Sequence, residues 1–333
     1  MKNKDLAIFG PYPPPLGGVS VHIQRIQNLL EDEGIDYIIF DHYSNTGNKI
    51  VPTHKNPLRY LKFLFKKNYS VFHFHQMFLL EYPFYYIFSR INKRPLIVTI
   101  HGETLLKIRP WKQKLVLFCL KKTRRLKLIS VSSNLTHFLN SNNIEAKFLP
   151  AYVPPTLPKR KAIIKDQRIH FLYSIWKVEK ELAEKIYNIE LAFQFLKREK
   201  NRFKMVFMVG NKEKSDLPYL NKLIEKYALQ NDIMLIFNEN LVDYVQNCDF
   251  LLRTNTIDGY GVSLQEAMDL NIPVIASNTC ERPEGTITFK NNDLEDLSSK
   301  IKFVVNVDKN EILKNRKKPD FHFKLIQLYK SLF

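Results

Sequence analysis

The chain of 333 residues is predicted to fold as α/β, in two doubly wound domains. Three observations predict this. Short apolar runs alternate with longer amphipathic stretches, the pattern of parallel strands joined by crossover helices. The alternation stops at a proline-rich segment, residues 153–158 (VPPTLP), and restarts near Arg168. A hydrophobic content of 45% is ample for two buried cores.

In the first domain, residues 1–155, strands are expected at 6–9, 37–40, 71–75, 96–100 and 126–131. Helices are expected at about 20–33, 57–67, 79–91, 111–125 and 134–139. The stretch 20–33 places Val21, Ile23, Ile26, Leu29 and Leu30 on one helical face. The stretches 57–67 and 111–125 interleave apolar residues with Lys and Arg. The first strand runs into a proline-rich loop closed by Gly17 and Gly18. Two adjacent glycines make a tight turn or let backbone come close to a ligand. Their spacing is not that of a dinucleotide fingerprint. His101 ends a strand, where open α/β sheets place ligands. His73 and His75 end another and read as packing and hydrogen-bonding groups. His22, on the first helix, is a weaker candidate.

In the second domain, residues 156–316, strands are expected at 168–174, 203–209, 233–237, 250–252 and 273–276. Helices are expected at about 181–200, 217–227 and 241–247. The chemistry concentrates in residues 253–285, RTNTIDGYGVSLQEAMDLNIPVIASNTCERPEG. Gly259 and Gly261 bracket Tyr260 in a turn. Ser263 is expected to open a helix, with Glu266 completing an S-x-x-E capping box. A glycine turn feeding a helix N-terminus offers free N–H groups to an anion, here over Gly259, Tyr260, Gly261, Val262 and Ser263. Asp258 and Glu266 frame that turn. Carboxylates repel phosphate, so these two are expected to accept from hydroxyls. A nucleotide sugar carries both features, a diphosphate between two polyols. Alone, Glu266 reads as a helix cap and Asp258 as a turn residue.

The longer pattern, R-T-x-x-x-D-G-x-x-V-S-x-x-E-A followed by S-x-x-x-x-R-P-E-G, resembles the E-x7-E region of retaining glycosyltransferases of family four, in a bacterial surface-polysaccharide branch. Asp258 stands where that family usually has Glu. The strings P-P-P-x-G-G-V-S-x-H near Gly17 and Gly18 and TIHG at His101 resemble the same branch. The resemblance implies the GT-B architecture, with two Rossmann-like domains facing a central cleft and a last helix, within 317–333, packed back on the first domain. It implies that Gly17, Gly18 and His101 face the donor from one domain. Asp258 would hold a sugar hydroxyl and Glu266 the ribose. The family's Arg and Lys after the first strand of the second domain are missing from SIWKVEKELAEK. Lys177, Lys180, Lys185, Arg253 and Arg282 are the candidate cations for the diphosphate.

Charge narrows the partners. Net charge is +18, and residues 49–127 hold 18 Lys/Arg against two acids, Glu81 and Glu103. Such a surface seeks phosphate, as anionic lipid or a diphosphate-linked acceptor. No nucleic-acid-binding module is recognisable. Three scattered cysteines suggest no disulfide framework, and no D-x-D triplet suggests a metal-dependent transferase. No cofactor is expected. The N-terminal apolar run is too short for a signal peptide and no run suffices for a membrane span. The expectation is a cytoplasmic protein, peripheral on the inner membrane face. It would transfer a hexose from a UDP- or GDP-sugar to a lipid-linked glycan in O-antigen, capsule or exopolysaccharide synthesis, with retention and without metal. The alternative is a catalytically idle GT-B protein that binds a nucleotide sugar or a partner transferase.

Overall fold

The computed structural model describes residues 6–14, 17–43, 45–53, 69–155, 159–314 and 316–333. The chain divides into two units. Unit 1 comprises Met1–Val153 and Asp320–Phe333, and unit 2 comprises Pro154–Pro319.

Unit 1 runs β1 (Leu6–Gly10), α1 (Gly18–Asp32), β2 (Tyr37–Asp41), β3 (Ile50–Pro52), β4 (Val71–Gln76), α2 (Glu81–Ile91), β5 (Leu96–Ile100), α3 (Thr104–Lys107), α4 (Pro110–Lys122), β6 (Leu126–Ser130), α5 (Ser133–Ser141) and β7 (Ala146–Phe148). The helix expected over 57–67 lies outside the described residues. The sheet order is β3-β2-β1-β4-β5-β6-β7, with every pairing parallel. Strand order reverses between β1 and β4, so the switch point lies there, at their carboxyl ends.

Helices cover both faces of this sheet, which is why β1, β2 and β5 read as nearly unbroken apolar runs. Phe9, Phe72 and Phe74 pack on one face against Tyr82, Tyr85 and Phe88 of α2. Leu6, Ile8, Val71 and Ile97 pack on the other against Ile23, Ile26 and Leu30 of α1. The last helix of the chain, Phe321–Lys330, completes that second layer with Leu325, Ile326 and Tyr329. Gly10 is required by close packing. A Cβ there would come within 2.5 Å of Ile23 and 3.0 Å of the His75 Cβ.

Unit 2 runs β8 (Ile169–Ile175), α6 (Lys180–Leu182), a π-helical turn (Ala183–Tyr187), α7 (Ile189–Glu199), β9 (Phe203–Val209), α8 (Leu217–Tyr227), β10 (Ile233–Phe237), α9 (Leu241–Val245), β11 (Phe250–Arg253), α10 (Val262–Asp269), β12 (Val274–Ser277), β13 (Ile287–Phe289), α11 (Leu294–Asn306) and α12 (Lys309–Leu313). The helix 321–330 is then α13. Its sheet, β10-β9-β8-β11-β12-β13, is also parallel and reverses between β8 and β11.

Two expectations are corrected here. The single helix expected over 181–200 is broken. Asn188 adopts φ 51°, a left-handed conformation that asparagine tolerates, and the turn before it is π-helical. The S-x-x-E capping box does not form. Gly261, at φ 85°, is the N-cap of α10, so Ser263 and Glu266 already lie inside the helix.

Candidate functional site

The loops after β8 and β11 flank the switch point of unit 2. With the first residues of the helices that follow, they carry Lys177, Lys180 and the segment from Arg253 to Ser263. Gly261 makes the turn into α10 possible. Its positive φ strains any side chain, and a Cβ there would stand 2.8 Å from Leu264 and 3.1 Å from Arg282 Nη1. Tyr260 folds inward, and burial pushes its phenol up to about 12.

Asp258 sits between two arginines. Arg253 donates from Nε to Oδ2 (2.5 Å) and from Nη2 to Oδ1 (2.9 Å). Arg282 donates from Nη1 to Oδ2 (2.5 Å), and the Gly259 N–H donates to Oδ1 (3.0 Å). Burial alone would push this carboxyl up. The charge and hydrogen bonds of Arg253, then those of Arg282, outweigh it and hold the group well below the usual carboxylate range. Arg282 also donates to the Ser277 carbonyl and hydroxyl, and its side chain is only 3% exposed. Arg253 is less enclosed, and its Nη1 lies 3.5 Å from Ser263 Oγ, in the first turn of α10. Glu266 lies one turn further in and is buried. The fold thus brings Arg253, Asp258, Gly261, Ser263 and Arg282 together.

The lysines are less committed. Lys177 pairs with Glu179, and Lys185 pairs with Glu181 while largely exposed. The backbone beside Lys185 is nonetheless part of the site's frame. Thr254 Oγ1 donates to the carbonyl of Tyr187, and Thr256 donates from its N–H to Ile186 O and from its hydroxyl to Lys185 O. Thr254 and Asn188 were missed by sequence reasoning. Thr254 follows Arg253 directly, but its partner lies 67 residues away.

In unit 1, the loop after β1 is held by Asp41, fully buried at the end of β2. Its carboxylate accepts from Tyr12 N (2.7 Å) and Asn45 N (3.0 Å), while Asn45 Nδ2 donates to Tyr12 O and Pro14 O. This frames Gly17 and Gly18. Gly17 is extended (φ −148°), and its N–H donates to Ser20 Oγ at 2.8 Å. A Cβ on Gly18 would meet nothing within 4 Å. Neither glycine is there for a left-handed turn.

Behind this loop stand four histidines from three elements. His75 Nδ1 and His101 Nε2 are 2.7 Å apart. His73 meets Tyr329 OH through Nδ1 (2.7 Å) and Thr99 Oγ1 through Nε2 (2.8 Å). His22 sets its ring edge-on to both His75 and His101, with centroids 5.6 and 5.9 Å away. Burial pushes His73 and His101 down to about 3 and also lowers His22 and His75, so all four are neutral at pH 7. Beside them, at the carboxyl ends of β2 to β4, lies a cavity of about 350 Å³ lined by Phe74, His75, Phe78, Glu81, Phe84 and Tyr85 among others. Among the described residues no helix is long and apolar enough to cross a membrane.

Comparison with known proteins places this arrangement. Residues 180–318 match the family model of glycosyl transferases group 1. A glycosyltransferase from Rickettsia africae ESF-5 superposes with a TM-score of 0.73 at 16% identity, covering 99% of both chains. The chain has the GT-B fold. Two further GT-B relatives in shape are Anabaena Alr3699/HepE in complex with UDP-glucose (TM-score 0.69, 12% identity, 98% and 99% covered) and WaaG, a glycosyltransferase involved in lipopolysaccharide biosynthesis (0.67, 13%, 98% and 99%). No curated protein sequence matches. The match covers the segment 253–285, so the Arg253–Asp258–Arg282 group and Glu266 lie within the residues that resemble glycosyl transferases group 1.

Proposed function

We propose that the protein transfers a hexose from a nucleotide-diphosphate sugar to a lipid-linked glycan, with retention of configuration, in bacterial surface-polysaccharide assembly. The observation that carries the reading is the switch point of unit 2. A guanidinium, a helix N-terminus and a hydroxyl (Arg253, α10 and Ser263) converge there, within the residues that resemble glycosyl transferases group 1.

Arg253 and the first amides of α10 take the diphosphate and stabilise it as the leaving group, where negative charge develops. Glu266 accepts from the ribose hydroxyls. Asp258 has its oxygens directed at two arginines, so its part is to hold Arg253 in place. Lys177, on the loop after β8, and Lys180, at the start of α6, supply further positive charge. His101 meets the sugar. No step is assigned to a metal. The donor's nucleotide is UDP or GDP; HepE, a neighbour in fold, binds UDP-glucose.

An anionic membrane is the proposed setting. The α2 helix with its preceding residue shows Leu80, Ile87 and Ile91, and α4 shows Trp111, Leu115 and Phe118, all exposed and one or two helical turns apart. The two helices touch, through Tyr86 against Phe118 and Arg90 to the Lys122 carbonyl. Lys107, Arg109, Lys112, Lys114, Lys121 and Lys122 flank them. Exposed apolar stripes among cations suit an interface of anionic lipid headgroups. The neighbouring aromatic cavity would receive the acceptor's sugar.

The test is a thermal-shift screen against UDP, GDP, ADP and their sugars, since a ligand that binds only the folded state raises Tm. A shift with one nucleotide, lost in Glu266→Ala, supports the reading, and no shift with any of them sinks it. The engagement of Asp258 by arginines favours one second reading, binding without turnover, which would show the shift but no release of sugar.

A further inference from the structure

His75 makes one hydrogen bond and leaves one nitrogen without a partner. Nδ1 is 2.7 Å from His101 Nε2, while Nε2 is buried with no hydrogen-bond partner among the described residues. The residue is 1% exposed. Its ring is also fixed in place. His73 lies against it with centroids 4.3 Å apart, His22 stands edge-on, and the bare Cα of Gly10 leaves the space that its Cβ occupies.

A neutral imidazole carries one N–H, on one nitrogen or the other. If His75 carried it on Nε2, a buried donor would be orphaned. If it carries it on Nδ1, only a lone pair lacks a partner. Orphaned buried donors are the rarer and costlier case. The proton therefore belongs on Nδ1, and His75 donates to His101 Nε2. His101 Nε2 is then an acceptor, so its own proton must sit on Nδ1. That is the nitrogen for which the described residues offer no partner, and His101 is only partly enclosed.

We infer that His75 is a positioning residue that locks His101 in the Nδ1–H tautomer, so that His101 presents a hydrogen-bond donor, never an acceptor, to whatever oxygen its ligand brings. The chemistry selected is an oxygen lone pair, on a sugar hydroxyl or a phosphate. A bare imidazole nitrogen ready to take a proton is excluded. His101 thus acts as a neutral electrophilic contact and has no role as general base. The functional half of this inference rests on the donor reading above. The tautomer half does not.

The experiment is two-bond ¹H–¹⁵N correlation of the ¹⁵N-histidine-labelled full chain at pH 7.5, which reads the tautomer of each ring. The His101 signals are assigned by their loss in His101→Asn. Wild type is expected to show His101 and His75 both protonated at Nδ1. His75→Ala, which removes the donor and opens the space beside His101 Nε2 to water, should return His101 to the Nε2–H form that neutral imidazole prefers in water. His75→Asn places an amide near the old Nδ1 and should keep the wild-type pattern. A His101 ring protonated at Nε2 in wild type overturns the inference even if neither variant folds, as does a His101 tautomer indifferent to His75→Ala.

Turnover of the nucleotide sugar that shifts Tm supplies the second arm. His75→Ala should lower kcat about tenfold with KM little changed, and His75→Asn should recover most of it. Equal kcat in wild type and His75→Ala overturns the positioning role. A wild-type chain that shows the stated tautomers but shifts with no nucleotide overturns the donor reading alone.

Discussion

Arg253 and Asp258, five residues apart at the end of β11, share two hydrogen bonds, and Arg282 reaches the same carboxylate from beyond β12. Removing one member of such a group leaves the others charged and buried. Asp258→Asn should therefore destabilise unit 2 by about 3–5 kcal/mol, because two guanidinium groups lose their counter-charge. Urea unfolding followed in the far ultraviolet measures it. A loss within about 0.5 kcal/mol would mean that solvent reaches both arginines.

The contact between Tyr329 and His73 ties the last helix to the sheet at 2.7 Å, with both groups fully buried. Tyr329→Phe keeps the ring and removes the hydroxyl. It should cost about 1–3 kcal/mol, the penalty for leaving the His73 nitrogen unsatisfied. The pair Tyr329→Phe with His73→Phe should recover part of that loss, which a double-mutant cycle would show. Additive losses would refute the bond's importance.

Acid should loosen unit 1 earlier than carboxylate chemistry alone would. His73 and His101 have folded values of about 3, below the unfolded value of about 6.5. The unfolded chain takes up protons first, so the stability these rings contribute is complete above pH 6.5 and is lost as pH falls towards 3. The slope is about 1.4 kcal/mol per pH unit for each ring. Asp258 acts in the same direction only below about pH 4, its folded value also being lowered. Urea midpoints measured between pH 7.5 and 4.5 should fall steadily, and His73→Phe should flatten the slope. A midpoint unchanged down to pH 5 would argue against neutral buried rings.

Lipid binding should depend on the exposed stripe of α4. Leu115→Glu with Phe118→Glu changes two exposed side chains and touches little of the core. The double variant should keep its Tm within a few degrees and lose co-sedimentation with vesicles containing anionic phosphatidylglycerol. Retained sedimentation would move the proposed lipid surface elsewhere.

Much of the fold was legible in the sequence, for a definite reason. Strands such as Leu6–Gly10 and Phe203–Val209 are covered on both faces, so almost every residue is apolar and the runs stand out. The three-residue strands β3, β7 and β13 stayed hidden because so short a segment carries no period. The break at Asn188 was equally hidden, since one left-handed residue leaves the apolar spacing of the flanking helix intact. In the site, the glycine turn at Gly261 was readable and the helix start was not. Ser263 and Glu266 mimic a capping box, yet the positive φ of Gly261 starts the helix earlier. The pairing of Asp258 with Arg282 spans 24 residues and the partnership of His75 with His101 spans 26. No local pattern encodes such distances, and only the parallel sheets bring these side chains together.

The placement of α13 also sets an order for synthesis. Unit 1 opens the chain and is finished only by residues 321–330, while all of unit 2 is made in between. On the ribosome, unit 2 can close its core as soon as it emerges. Unit 1 must wait with His73 and the part of that face beyond α1 uncovered until helix α13 leaves the tunnel. A purified chain truncated after residue 319 should accordingly show a protease-resistant unit 2 beside a readily cleaved unit 1, and the chain carrying residues 320–333 should protect both.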